Sequence, residues 1–72
     1  MRKFGIICIY AIQSLLKPER IYIGSSVDVE FRWYIHLLYL SRNSHHSQKL
    51  QRHYNKYGED DLIFYILEKR DD

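Results

Sequence analysis

The run Phe4–Ile12, FGIICIYAI, is apolar almost without interruption. It is too short to cross a membrane. Its isoleucines and aromatic residues at close spacing predict a strand buried on both faces rather than one stripe of a surface helix. In a chain of 72 residues this run is a large part of the core. A chain of that length makes one domain, near the lower end of what folds without disulfides or metals. Seven tyrosines, three phenylalanines and one tryptophan supply large buried area per side chain. A core of this size yields little net stability, so truncation or loss of a partner would matter. Cys8, the one cysteine, lies inside the run, which excludes an internal disulfide framework and a cysteine-based zinc knuckle. It reads as a small buried hydrophobe rather than a reactive thiol.

Arg2-Lys3 ahead of this run imitates the start of a signal peptide. No small-residue cleavage site follows, and removal would delete a strand that the core needs. No other stretch approaches membrane-span length, so the expectation is an intracellular protein without a membrane partner.

Beyond the run the punctuation is regular. Gln13–Pro18 is a connection with Lys17-Pro18 as its breaker, and Arg20–Gly24 (RIYIG) reads as a short second strand ended by glycine. The two strands suggest an antiparallel hairpin. Asp28 is a good helix N-cap, with Glu30 in the first turn. Val29, Trp33, Leu37 and Leu40 then recur at helical spacing. Ser41–Ser44 breaks that pattern, and a second helix is expected from about Ser44 to Tyr57, with Leu50, Tyr54 and Tyr57 inward. Lys49, Arg52, His53 and Lys56 form a cationic stripe on another side of it, and Gly58 fits a left-handed stop. Leu62–Leu67 (LIFYIL) is apolar on both faces and reads as a central third strand. The expected class is α+β: a small three-stranded antiparallel sheet with flanking helices, in the order ββααβ.

The net charge is only +2, but residues 1–58 carry nine Lys/Arg against three acids, and residues 59–72 two against six. All four histidines lie in the basic part. A positive body with a negative tail suits a face that binds a polyanion, and it equally suits ordinary solvated surface. Arg32 and His36 are four apart on the first predicted helix and project from one face beside its apolar stripe. A phosphodiester hydrolase needs an activated water, cationic groups for the developing charge, and usually a divalent metal. Arg32 offers bidentate phosphate contacts; His36, or Tyr10 or Tyr22 on the paired strands, offers proton transfer. Taken singly, each also has a packing or surface explanation, and spacing does not choose between them.

A set of motifs in one order does choose. Cys8-Ile9-Tyr10, eleven residues, then Tyr22-Ile23-Gly24 resembles the GIY…YIG signature of the GIY-YIG nuclease superfamily. The continuation YIGSSVDVEFRWYIHLLYL is similar to that family's YIGS…RW…H segment, and SHHSQKLQRHYNKYGEDDLIFYILE to its second helix and third strand. The resemblance runs from about Phe4 to Glu68, so residues 1–72 are expected to be one nuclease domain with its core at 4–68. It is similar to the subgroup of phage and organellar intron-encoded homing endonucleases. The location this implies is a bacterial or phage-host cytoplasm, or an organelle.

The resemblance implies a DNA endonuclease that hydrolyses phosphodiester bonds. Tyr10 would be the general base or water-orienting group, with Tyr22 beside it shaping the site. Arg32 would stabilise the pentavalent transition state, and His36 would assist proton transfer. His45 would be a further family histidine, with His46 as its substitute in a shifted register. Gly24 would let the chain turn closely past a phosphate-binding surface, and Lys49, Arg52 and Lys56 would bind DNA. Two positions depart from the pattern. The first family glycine is Cys8, unless Gly5 is an earlier start. The family's single divalent metal, Mg2+ or Mn2+, is held by a glutamate on a helix after the third strand, whereas this sequence ends five residues after Leu67. Glu68 belongs to the strand end, Asp71 and Asp72 are expected to be a frayed terminus, and no ligand is identified. The expectation is weak cleavage by this chain alone, a need for a partner chain or a further C-terminal segment, and mostly non-specific DNA affinity. The alternative is a catalytically impaired DNA-binding module or a remnant of such a nuclease.

Overall fold

β1 (Ile6–Ser14) forms the middle of a three-stranded antiparallel sheet of order β2-β1-β3. The structure, a computed structural model, describes residues 6–71. Phe4, the glycine alternative Gly5 and the terminal Asp72 lie outside them. β1 can hold the centre because both its edges are paired, Cys8 to Gln13 with β2 (Ile21–Ser26) and Ile6 to Ser14 with β3 (Leu62–Asp71). Tyr10, Ala11 and Ile12 are accordingly 1%, 0% and 1% exposed.

The connections follow the local signals. In α1 (Val29–Ser41) the Asp28 carboxylate accepts the Phe31 N–H at 3.2 Å, satisfying one orphan donor of the first turn. The stripe turns inward: Leu40 is buried, and Val29 and Trp33 pack against the core of Tyr10, Ile12, Leu50 and Leu62. α2 (Gln48–Tyr57) ends at Gly58, whose positive φ of 85° an L side chain rarely adopts. A single 3-10 turn, Glu59–Asp61, then feeds β3. The order is ββααβ, as the sequence implies.

Five sequence expectations need correction. Leu62–Leu67 belongs to an edge strand, not a central one. Among the described residues β3 pairs only with β1, which leaves Ile63, Ile66 and Leu67 38%, 38% and 51% exposed. An apolar run identifies a strand here but not its place in the sheet. β2 continues past Gly24 to Ser26, so the glycine lies within the strand rather than at its end. α2 begins at Gln48 rather than near Ser44. Ser47 caps it by accepting the Leu50 N–H, and Asn43 turns the chain beforehand at φ 57°. His53 leaves the cationic stripe: it is 6% exposed and hydrogen-bonded to Asp61. Asp71 is not frayed, since β3 runs through it opposite Ile6.

Candidate active site

Tyr10 faces the helices from the central strand, and the phenol ends beside the middle of α1. Its Oη lies 2.6 Å from His36 Nε2. His36 is held there because a position four residues before the buried Leu40 faces the same side of α1. His36 Nδ1 is 2.7 Å from His45 Nε2, and His45 Nδ1 accepts the Ser47 backbone N–H at 3.0 Å. That last bond fixes the proton order of the whole row. A backbone N–H can only donate, so His45 Nδ1 is bare and its proton sits on Nε2. His45 therefore donates to His36 Nδ1, and His36 Nε2–H donates to Tyr10 Oη. The opposite order would put two protons between Ser47 and His45.

The electrostatics agree with neutral imidazoles. Burial lowers the His36 pKa to about 4, helped by the neighbouring His45, Arg32 and His46. Burial likewise lowers His45, with His46 adding to it and the Ser47 contact opposing. Burial raises the Tyr10 phenol, and Arg32 beside it pulls the other way. Removing the Tyr10 proton thus produces an anion already facing an imidazole N–H and a guanidinium. Arg32 itself is exposed on α1, and among the described residues no carboxylate pairs with it.

Tyr22 enters from β2. Its Oη is 2.9 Å from His46 Nε2, and its ring meets that of His36 edge-on with centroids 5.3 Å apart. His46 stacks on His45 at 4.5 Å. Both histidines of the HH pair therefore join the cluster, His45 buried within it and His46 exposed at its rim. Gly24 pairs with Tyr10 across the ladder. A Cβ there would lie 2.5 Å from Tyr10 Oη and 2.6 Å from its Cζ, so the missing side chain is the space the phenol occupies. Gly24 makes that room inside a strand, not by turning the chain.

Tyr10, Tyr22, Arg32, His36 and His45 thus gather at one place. Lys49, Arg52 and Lys56 do not. They line a separate groove beside α2, which shares Tyr22 as a wall. Glu68 is exposed, paired with Arg70 at 2.9 Å, and opposite Ile9, so it stands on the face of the sheet away from Tyr10. Sequence reasoning missed Gln51. It is buried, and its Oε1 accepts the His45 N–H while its Nε2 donates to the Leu40 carbonyl, which clamps the histidine loop onto α1. A glutamine on the inward side of an amphipathic helix was the available signal.

A divalent metal is implied by the resemblance. Among the described residues no three His, Cys, Asp or Glu side chains converge to hold one. The nitrogens of His36 and His45 are committed to each other, to Tyr10 and to the Ser47 N–H, and His46 Nε2 to Tyr22. These residues do not fit a metal site by themselves.

The sequence profile of the GIY-YIG catalytic domain matches residues 6–72. Intron-associated endonuclease 1 of Enterobacteria phage T4 is 44% identical over 50 residues, which are 69% of this chain and 20% of that protein. The fold superposes on a mutant of the catalytic domain of intron endonuclease I-TevI with a TM-score of 0.82 at 39% identity, over 89% of this chain and 64% of that one. A second structure, of the catalytic domain of homing endonuclease I-TevI, gives 0.78 at 39% identity, over 92% and 66%. This chain spans about a fifth of the curated relative's length and under two thirds of the solved domains.

Proposed function

Because this chain belongs to the GIY-YIG catalytic domain family, we propose that it hydrolyses phosphodiester bonds in DNA as the catalytic domain of a homing-type endonuclease. The observation that carries the reading is the proton-ordered row Ser47–His45–His36–Tyr10 ending beside Arg32. Hydrolysis needs a proton removed from attacking water and charge absorbed on the phosphoryl oxygens. Tyr10, deprotonated, orients the water and takes its proton. The His36 N–H holds the phenolate oxygen through that step, and His45 keeps His36 in the donating tautomer. Arg32 faces the oxygens of the pentavalent phosphorus, where a fork of N–H donors suits the geometry. Tyr22 shapes the wall between this site and the basic groove. Lys49, Arg52 and Lys56 hold the backbone without reading sequence.

The family's divalent cation, Mg2+ or Mn2+, would neutralise charge at the phosphate when bound. Its carboxylate would come from outside the described residues, in a further segment or a second chain, and no step above passes through it. That lack of a converging donor set favours one other reading, a DNA-binding module with impaired turnover.

Arg32→Ala separates the two. In a nuclease it removes plasmid nicking with Mg2+ or Mn2+ and leaves most DNA binding intact. In a binder, Lys49→Ala and Arg52→Ala weaken affinity as much as Arg32→Ala does, and no variant changes a nicking rate. The second pattern would overturn the proposal.

A further inference from the structure

A second polar cluster lies away from the Tyr10 site, at the other end of the same strand. Asp61 is 6% exposed and its carboxylate collects three donors: Ser14 Oγ at 2.6 Å, His53 Nε2 at 2.7 Å and the Leu16 N–H at 2.9 Å. The Ser14 hydroxyl is the largest cause holding its carboxyl below the usual range. A guanidinium can only donate, so the Arg20 contact makes His53 Nδ1 the acceptor, 3.2 Å from Arg20 Nη1, and leaves Nε2 to donate to Asp61. The Arg20 backbone is tied as well, its N–H to the Lys17 carbonyl at 2.8 Å and its carbonyl to the Ser14 N–H at 3.2 Å. A surface arginine is normally mobile. This one is held at its backbone and at one guanidinium nitrogen, and among the described residues the rest of its fork has no partner.

That fork opens onto a groove of about 710 Å³ between β2 and α2. Lys49, Arg52 and Lys56 stand along the helix side, Glu19 is the one carboxylate on the lining among the described residues, and exposed Ile21 above the buried Ile12, Leu50 and Leu62 makes an apolar floor. Cations over an apolar floor match one chemistry, a sugar phosphate: the ester charge meets the guanidinium and ammonium groups while the sugar and base face lie on hydrocarbon. Tyr22 lines this groove and also belongs to the histidine cluster, so a strand placed at Tyr10 continues into it.

We propose that the groove is a subsite for the nucleotide next to the scissile one, with Arg20 contacting its phosphate and the buried Ser14–Asp61–His53 cluster positioning that arginine. The proposal rests on the DNA-cleaving reading for its ligand and not for its geometry. His53 and Asp61 are positioning residues that touch no substrate.

The test is fluorescence anisotropy of the 72-residue chain on a labelled short duplex, titrated at several salt concentrations. Arg20→Ala is expected to weaken binding about tenfold at low salt and to flatten the log–log salt slope by about one. His53→Ala is expected to reproduce part of that loss, to add nothing to Arg20→Ala in the double variant, and to be rescued by His53→Gln. Glutamine can donate to Asp61 and accept from Arg20 at once. Arg20 is on the surface, so its variant remains decisive if a His53 variant fails to fold. Parental affinity and slope in Arg20→Ala would overturn the proposal, as would displacement of the duplex by micromolar mononucleotide, which would make the groove a site for free nucleotides. A chain that shows the Arg20 effect and never nicks keeps the groove as a DNA-phosphate site and refutes the nuclease reading. One that nicks with binding indifferent to Arg20 does the reverse.

Discussion

A methyl group added at Gly24 would overlap the Tyr10 phenol, and the strand around it leaves the ring as the part that yields. Displacing a reacting group by about 1 Å can cost about a hundredfold in rate. Gly24→Ala is therefore expected to lower nicking by about that factor while circular dichroism still reports a folded sheet; nicking at the parental rate would remove Tyr10 from the chemistry. With Tyr10 as the proposed base, the pH dependence follows from its phenol. Its phenol is raised by burial, so near neutrality only a small fraction is deprotonated, and that fraction grows tenfold per pH unit. Nicking is expected to rise with slope near one in a log plot through the neutral range, where a flat profile would assign the base to another group. These residues were legible because the family pattern fixes their type and order. Ser14, Gln51, His53 and Asp61 were not. A hydrogen bond between residues 47 apart, such as Ser14 to Asp61, leaves no periodic trace along the chain.

Among the elements, α1 carries the clearest linkage. His36 is neutral in the fold with its pKa lowered from 6.5 to about 4. Above pH 6.5 both folded and unfolded chains hold the imidazole neutral. As pH falls from there toward 4 only the unfolded chain takes up the proton, so stability drops across that window and levels below it. The loss is of the order of 3 kcal/mol. Urea melts at pH 7 and pH 4.5 check it: His36→Gln should narrow the difference, and an unchanged difference would assign the pH effect to other groups. The helix start is a smaller matter. Asp28→Ala removes the cap on the Phe31 N–H and is expected to cost about 1 kcal/mol in the same melts. That cap was readable from the sequence because capping is local. The start of α2 was misread because His45 and His46, polar and close to the helical residues, sit instead in a loop held by Gln51.

The whole molecule is small, and one layer of helices covers one face of its sheet. Leu40, 1% exposed, belongs to the cluster that joins α1 to β1 and α2. Truncating a buried leucine costs roughly 2–5 kcal/mol, comparable to the roughly 3–5 kcal/mol that the core of so small a domain supplies. Leu40→Ala is therefore expected to leave the chain largely unfolded at 37 °C by circular dichroism. The fold order was legible because each element had its own period or punctuation, while the placing of β1 in the centre depends on pairings that no single strand encodes.

The proposed chemistry turns on Tyr10 as the group that handles the proton of attacking water. Supercoiled plasmid incubated with the purified chain and Mg2+ or Mn2+, beside its Tyr10→Phe variant, tests it most directly. Weak conversion to nicked circles is expected of the parent and none of Tyr10→Phe, although phenylalanine fills the same space and the variant melts close to the parent. Equal nicking by both chains would contradict it.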